Sequence, residues 1–240
     1  MKIKNVYQKI LKNMLKFNNN IAYKGDKLLK TRLGTSVLIE VDVPDFIDIP
    51  IYSRNLEEIL RLITDDTDVS VTSKDNVDYL LFSNNLGKIK YRMPKQRLVE
   101  ETISSKMSID EFYTNKCEPL VIFNLTQEKY KELMRVSGLL GSDRLLIKSL
   151  DDNKLRFITF NMSDKNDKQY SIEIEVQHKH FENSYEFQLD NLNLIESPDY
   201  KVSLCAQKGE KSGILGRGVL KIEAYLSDNI IMKYLVIGTK

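Results

Sequence analysis

Two adjacent carboxylate pairs, Asp65-Asp66 and Asp151-Asp152, are of a type and spacing that could serve hydrolysis, since neighbouring carboxylates can divide acid and base roles or share a metal. His178 and His180 are the only histidines, and an H-x-H on a strand sets both imidazoles on one face, where they could hold a metal. Gly209, Gly213, Gly216 and Gly218, interleaved with Lys208, Lys211 and Arg217, form a basic glycine-rich loop of the kind that can cradle phosphate. Each has a simpler reading. Both Asp pairs fall at turns, where Asp bonds its own backbone. The histidines have no third ligand nearby, and the loop lacks the Gly-Lys-Ser/Thr ending and joins two strand-like runs, as a hairpin does. No Ser/His/Asp order and no C-x-x-C is present. A β-rich, nuclease-like DNA-acting enzyme using the Asp pairs stays open as one reading, and neither a metal nor another cofactor is expected.

The binding chemistry is more sharply drawn at the start of the chain. Over residues 1–17, Ile3, Val6, Tyr7, Ile10, Leu11, Met14 and Leu15 make a helical apolar stripe. The opposite face carries Lys2, Lys4, Lys9, Lys12 and Lys16, with Lys9, Lys12 and Lys16 in one row and no acidic residue before Asp26. Like charges at helical spacing repel, so a purely cationic face suggests an anionic partner. DNA phosphate is one such partner, a membrane surface is another, and a plain basic surface helix is the third reading.

At 240 residues, 42% hydrophobic and 29% charged, the chain is too apolar for general disorder and long enough for two domains. A net charge of +2 means that any nucleic-acid affinity rests on local clustering. Two cysteines, Cys117 and Cys205, no secretory leader and no apolar run of membrane-spanning length fit a reducing cytoplasm.

The elements that position these residues read as one pattern written twice. After the first helix come strand-like runs at 21–24, 28–32 and 36–43, a run at 47–52 entering a helix at 55–63, and strands at 68–72, 78–83 and 88–93. Residues 94–119 are polar, mixed in charge and weak in periodicity, and read as a connecting loop between a first domain at 1–93 and a second at 120–240. The second domain repeats the order: a run at 120–123, a helix capped by Thr126 with Tyr130, Leu133, Met134 and Ser137 inward, strands at 144–149, 155–161 and 170–176, a run at 184–188 entering a short helix at 189–195, and strands at 200–206, 219–226 and 230–237. Helices on one face of antiparallel sheets, repeated, give an α+β two-domain chain.

With that order in place the chain resembles the sliding clamps, ring-shaped DNA polymerase processivity factors, and in particular the two-domain clamps of T4-type bacteriophages. The resemblance covers nearly the whole chain and is most specific over LLKTRLGTSVLIEVDVPDFIDIPIYSRNLEEILRLITDDTDVSV (28–71), KELMRVSGLLGSDRLLIK (131–148) and NLIESPDYKVSLCAQKGEKSG (193–213). It implies duplicated domains with two helices each, the helices lining a central hole and the antiparallel sheets closing a homotrimeric ring around duplex DNA without sequence preference. It implies a non-enzymatic tether without cofactor or membrane attachment, a DNA polymerase and a clamp loader as partners, and the use in late transcription known for some phage clamps. Carried onto this chain, the DNA-facing residues are Lys4, Lys9, Lys12, Lys16, Arg54, Arg61, Lys129, Lys131 and Arg135. Subunit contacts fall on Lys88, Ile89 and Tyr91 of one copy and Tyr170, Ile172 and Ile174 of the next. A partner-peptide pocket falls on Val43, Phe46, Leu120, Tyr234, Leu235 and Ile237, with Phe46, after Pro44 in a turn, expected as an exposed anchor.

Overall fold

The computed structural model describes residues 3–46, 49–64, 66–103, 107–163, 168–208, 216–227 and 229–239. Lys2, Asp65, Gly209, Lys211 and Gly213 lie outside the described residues, as does the start of the run expected at 47–52. The chain divides into two compact units, Met1–Lys106 with Leu226–Met232, and Met107–Tyr225 with Lys233–Lys240.

The first unit opens with α1 (Asn5–Leu15), followed by β1 (Ile21–Tyr23), β2 (Leu28–Leu33), β3 (Val37–Asp42), β4 (Ile51–Ser53), α2 (Leu56–Leu62), β5 (Asp68–Lys74), β6 (Val77–Asn84), β7 (Gly87–Arg92) and α3 (Gln96–Ile103). Strands run β4-β1-β2-β3 in one antiparallel layer and β5-β6-β7 in another. The β5–β6 hairpin turns on Asp75 and Asn76, both at positive φ (53° and 61°). Two consecutive left-handed residues match the right-handed twist of the strands, and Asp and Asn tolerate that conformation best after glycine. Helices α1 and α2 pack against each other. Tyr7, Ile10, Leu11 and Met14 of α1 are no more than 1% exposed, so each contributes on the order of 1.5–3 kcal/mol of apolar burial.

The second unit contains α4 (Ile109–Lys116), β8 (Cys117–Thr126), α5 (Gln127–Leu140), β9 (Arg144–Asp151), β10 (Lys154–Phe160), β11 (Tyr170–Glu175), β12 (Tyr185–Gln188), a 3-10 turn (Leu189–Leu192), β13 (Asp199–Gln207) and β14 (Gly218–Ser227); the last strand, β15, is Ile230–Ile237. Antiparallel layers β11-β10-β9-β12 and β8-β13-β14-β15 frame it. Helix α5 lies on β8, β10 and β11, capped at its start by Thr126 Oγ1 accepting from the Lys129 amide (3.3 Å) and ended by Gly141 at φ 66°.

Two expectations are corrected. Residues 94–119 are not a loop, since they hold α3, α4 and the beginning of β8. Ser108 and Glu111 close a reciprocal capping box at the start of α4, with Ser108 Oγ accepting from the Glu111 amide at 3.1 Å and the Ser108 amide donating to Glu111 Oε2 at 2.8 Å. Val99 and Ile109 are fully buried, which anchors two helices too short to show a clear period. The helix expected at 189–195 is only the 3-10 turn, so the second unit has one fewer helix of that kind. Three tyrosines hold the backbone that follows it: the Leu194 amide donates to Tyr130 Oη (3.0 Å), the Ile195 amide to Tyr234 Oη (2.8 Å), and Tyr200 Oη donates to the Ile195 carbonyl (2.9 Å). Side-chain hydroxyls supply the bonds that a helix ladder would otherwise make. Burial pushes the Tyr130 hydroxyl up to about 12, so it stays a neutral donor and acceptor.

Candidate nucleic-acid interface

Helix α1 forms because its apolar stripe has a core to enter, even though it starts without a side-chain cap or an acidic first turn. Tyr7 Oη accepts from the Asp45 amide (3.3 Å), and the Tyr7 ring meets Phe46 edge-on. Gln8, also on the inner side, donates to the Ile3 carbonyl at 3.2 Å. With that face fixed, Lys9, Lys12 and Lys16 are left exposed along one row, and none of the three forms an ion pair among the described residues. Lys4 is exposed beside them and reaches Asp45 at 3.1 Å. Both partners of that pair are more than half exposed, so it holds Lys4 weakly.

The other expected cations differ in kind. Arg61 of α2 is paired with Glu57 one turn earlier, and Arg54 donates to the Leu98 carbonyl at 3.5 Å. On α5, Lys131 pairs with Glu196, and Arg135 forks onto Glu132 through Nε (3.0 Å) and Nη2 (2.8 Å). That fork lowers the pKa of the Glu132 carboxyl, which therefore stays ionised and keeps this stretch of helix neutral. Lys129 remains exposed without an ion pair among the described residues. Within the first unit the structure brings the three free lysines of α1 beside α2, while the cations of α5 are largely matched by carboxylates.

Of the catalytic candidates, the second Asp pair and the histidines make turn and loop contacts. Asp151 Oδ1 accepts from the Asn153 amide (2.7 Å), and Asp152 Oδ1 from the His180 amide (2.7 Å). His178 Nε2 and His180 Nδ1 both converge on Ser149 Oγ, at 2.9 and 2.7 Å, while His178 Nδ1 donates to the Val176 carbonyl (2.9 Å). Among the described residues no group of three or more His, Cys, Asp or Glu is placed to hold a metal. At the glycine-rich loop, Gly218 is required by packing, because a Cβ there would lie 2.7 Å from Tyr185 Cβ. The amide of Gln207 donates to the Arg217 carbonyl (2.8 Å), which marks the base of a hairpin between β13 and β14.

The expected partner pocket is corrected at its centre. Phe46 is 2% exposed, its ring held edge-on by Tyr7 and Tyr23 at centroid distances of 5.2 and 4.9 Å. Val43, Tyr234 and Leu235 are buried as well. Leu120 and Ile237 are half-buried, and Ile122, two residues along β8 from Leu120 and 53% exposed, adds to that face of the second unit. The sequence reading missed Ile122 because an apolar residue in an apolar run gives no sign of which face it takes.

The residues expected at the subunit contact lie on two outer strands. β7 ends the layer β5-β6-β7, and β11 ends the layer β11-β10-β9-β12. On β7, Lys88 and Ile89 are exposed, whereas Tyr91 turns inward to share a 2.8 Å hydrogen bond with Ser53. On β11, Tyr170 and Ile172 are half-buried and Ile174 is in the core, while Glu173 and Glu175 face outward. Ile174 is therefore a core position of its own unit and Tyr91 is half-buried, while the surface of β7 is carried by Lys88, Ile89, Lys90 and Arg92 and that of β11 by Ser171, Glu173 and Glu175.

This architecture matches solved sliding clamps over nearly the whole chain. The proliferating cellular nuclear antigen from Entamoeba histolytica aligns with a TM-score of 0.59 and 13% identity, covering 98% of this chain and 95% of its own. The A. fulgidus PCNA, solved with the C-terminal region of FEN-1 bound, gives 0.61 and 13% over the same shares. The H. pylori beta clamp, in complex with 5-chloroisatin, gives 0.59 and 14%, covering 97% of this chain and 63% of its own. No family model and no curated protein sequence matches the chain. The fold is that of the sliding clamps.

Proposed function

We propose that this chain, built on the sliding-clamp fold, is a processivity clamp that encircles duplex DNA as a ring and tethers a replicative DNA polymerase. The observation that carries the reading is the row Lys9, Lys12 and Lys16: three exposed lysines with no ion pair among the described residues, on a helix whose other face is locked into the core. Unpaired cations at fixed spacing attract phosphate without reading bases, which permits sliding. The role needs no reacting group.

The ring is a homotrimer in this reading, closed by β7 of one copy against β11 of the next. Support comes from charge: the exposed side of β7 offers Lys88 and Lys90, and that of β11 offers Glu175 together with Glu173, which Arg156 of β10 also holds at 2.6 Å. A clamp loader opens and closes that seam, and the polymerase docks on the half-buried and exposed apolar side chains Leu120, Ile122 and Ile237. The resemblance to T4-type phage clamps extends the partners to late-transcription factors.

Retention on nicked circular DNA, compared with linear DNA whose ends are open, tests the proposal. With its loader the wild type should stay on the circle and run off the line. Lys9, Lys12 and Lys16 changed together to Ala should fold normally, dissociate faster from the circle, and flatten the salt dependence by about one unit of slope per lost contact. Equal retention on circular and linear DNA would sink the topological reading.

A further inference from the structure

The first unit contains a cleft of about 590 Å³ that the clamp function leaves unused. Tyr52 and Arg54 line it from the end of β4, Asn76 to Asp78 from the β5–β6 turn, Tyr91 and Arg92 from the end of β7, and Lys95 and Leu98 from the start of α3. Its charged side chains are Arg54, Arg92 and Lys95 against the single carboxylate of Asp78, which is already bonded to Ser73. Arg92 and Lys95 are exposed and form no ion pair among the described residues. Arg54 has only the long bond to the Leu98 carbonyl. Helix α3 enters this wall with no acidic residue in its first turn, so the positive end of its amides is left uncompensated.

The floor is apolar and aromatic. Tyr52 and Met93 are buried, and Tyr91 is fixed by its bond to Ser53, while Leu98 is 44% exposed at the rim. Among the described residues β4 is the outermost strand of its layer, and such an edge leaves backbone donors and acceptors for an extended guest. A cleft of this volume admits a few side chains. A duplex, whose phosphates lie on a convex surface, suits the lysine row of α1 instead.

We propose that this cleft is a second protein-docking site, which takes an extended acidic peptide segment from a partner, with carboxylates on Arg54, Arg92 and Lys95 and an apolar side chain on the Tyr52, Met93 and Leu98 floor. The site is separate from the lysine row of α1 and from the apolar face at Leu120.

Fluorescence anisotropy of the full chain tests it with a labelled peptide of alternating Glu and Leu or Phe residues, the same peptide with every Glu replaced by Gln, and a short labelled DNA duplex. The acidic peptide should bind and the Gln peptide should not, with affinity falling as salt rises. The exposed double variant Arg92→Glu, Lys95→Glu should weaken acidic-peptide binding by about tenfold or more. Met93→Ala would disturb the core, so Leu98→Ser at the rim probes the apolar contact instead. The Lys9, Lys12, Lys16 triple Ala variant should keep the peptide and lose duplex. Undiminished peptide binding by the Arg92, Lys95 variant would overturn the proposal, as would binding of the Gln peptide equally well, or loss of duplex but not of peptide in the double variant.

Discussion

Single residues divide here between those whose chemistry is used up inside the fold and those left with something to offer. Phe46 belongs to the first kind, since two tyrosine rings enclose it. Phe46→Ala should cost about 3–5 kcal/mol of stability, as large-to-small changes in a filled core do; urea unfolding measures it, and an unchanged midpoint would put Phe46 at the surface after all. Asp110 is a charged counterpart, bridging Lys221 Nζ (2.6 Å) and Lys233 Nζ (2.7 Å) at the start of α4. Burial alone would raise its pKa, but hydrogen bonds from the two ammonium groups outweigh that and hold the carboxyl below its ordinary value. A carboxyl lowered on folding adds stability that is complete above its unfolded pKa and disappears as pH falls through the folded one. The wild type should therefore lose stability more steeply than Asp110→Asn as pH falls past the ordinary carboxyl value of 3.8, and parallel curves in acid unfolding would remove the bridge from the account.

Elements were legible in proportion to their period. The α1 stripe, the cap at Thr126 and the strand order could be read because each repeats a pattern over enough residues to stand out. Helices α3 and α4 could not, since eight residues with one deeply buried side chain apiece among the described ones look like a polar loop until their packing is known. The Ser108 to Glu111 box was a usable signal within that stretch. Ser108→Ala should lower stability by about 1 kcal/mol through α4 alone, and hydrogen exchange should show the loss confined to the amides at the start of that helix. The turn at Leu189–Leu192 misled in the opposite direction, because its apolar residues serve burial rather than a helical face. At the candidate interface the sequence shows the cations and their local partners, Glu57 for Arg61 and Glu132 for Arg135, but not the distant one. Glu196, which neutralises Lys131, lies 65 positions away, and no local spacing could reveal it.

At the scale of the molecule the question is how copies meet. On the proposed homotrimeric ring, Lys88→Glu with Lys90→Glu should leave the chain folded and reduce its mass in solution from about three times 27.9 kDa to one, measured by sedimentation. Adding Glu173→Lys and Glu175→Lys to the same chain should restore the trimer, because the signs then match again; a trimer indifferent to both exchanges would place the seam elsewhere. Lys90 also sits 3.8 Å over the Tyr79 ring, so the isolated chain already holds one of these charges in place. The α1 row places a looser demand on sequence. Lysines that act through charge and spacing, without a fixed hydrogen-bonded mate, need the right sign more than the right identity, so on the proposed role Lys12→Arg should hold duplex as the wild type does. A surface that asks only for sign, over a core that asks only for apolar volume, lets one fold be written by chains that share 13% of their residues.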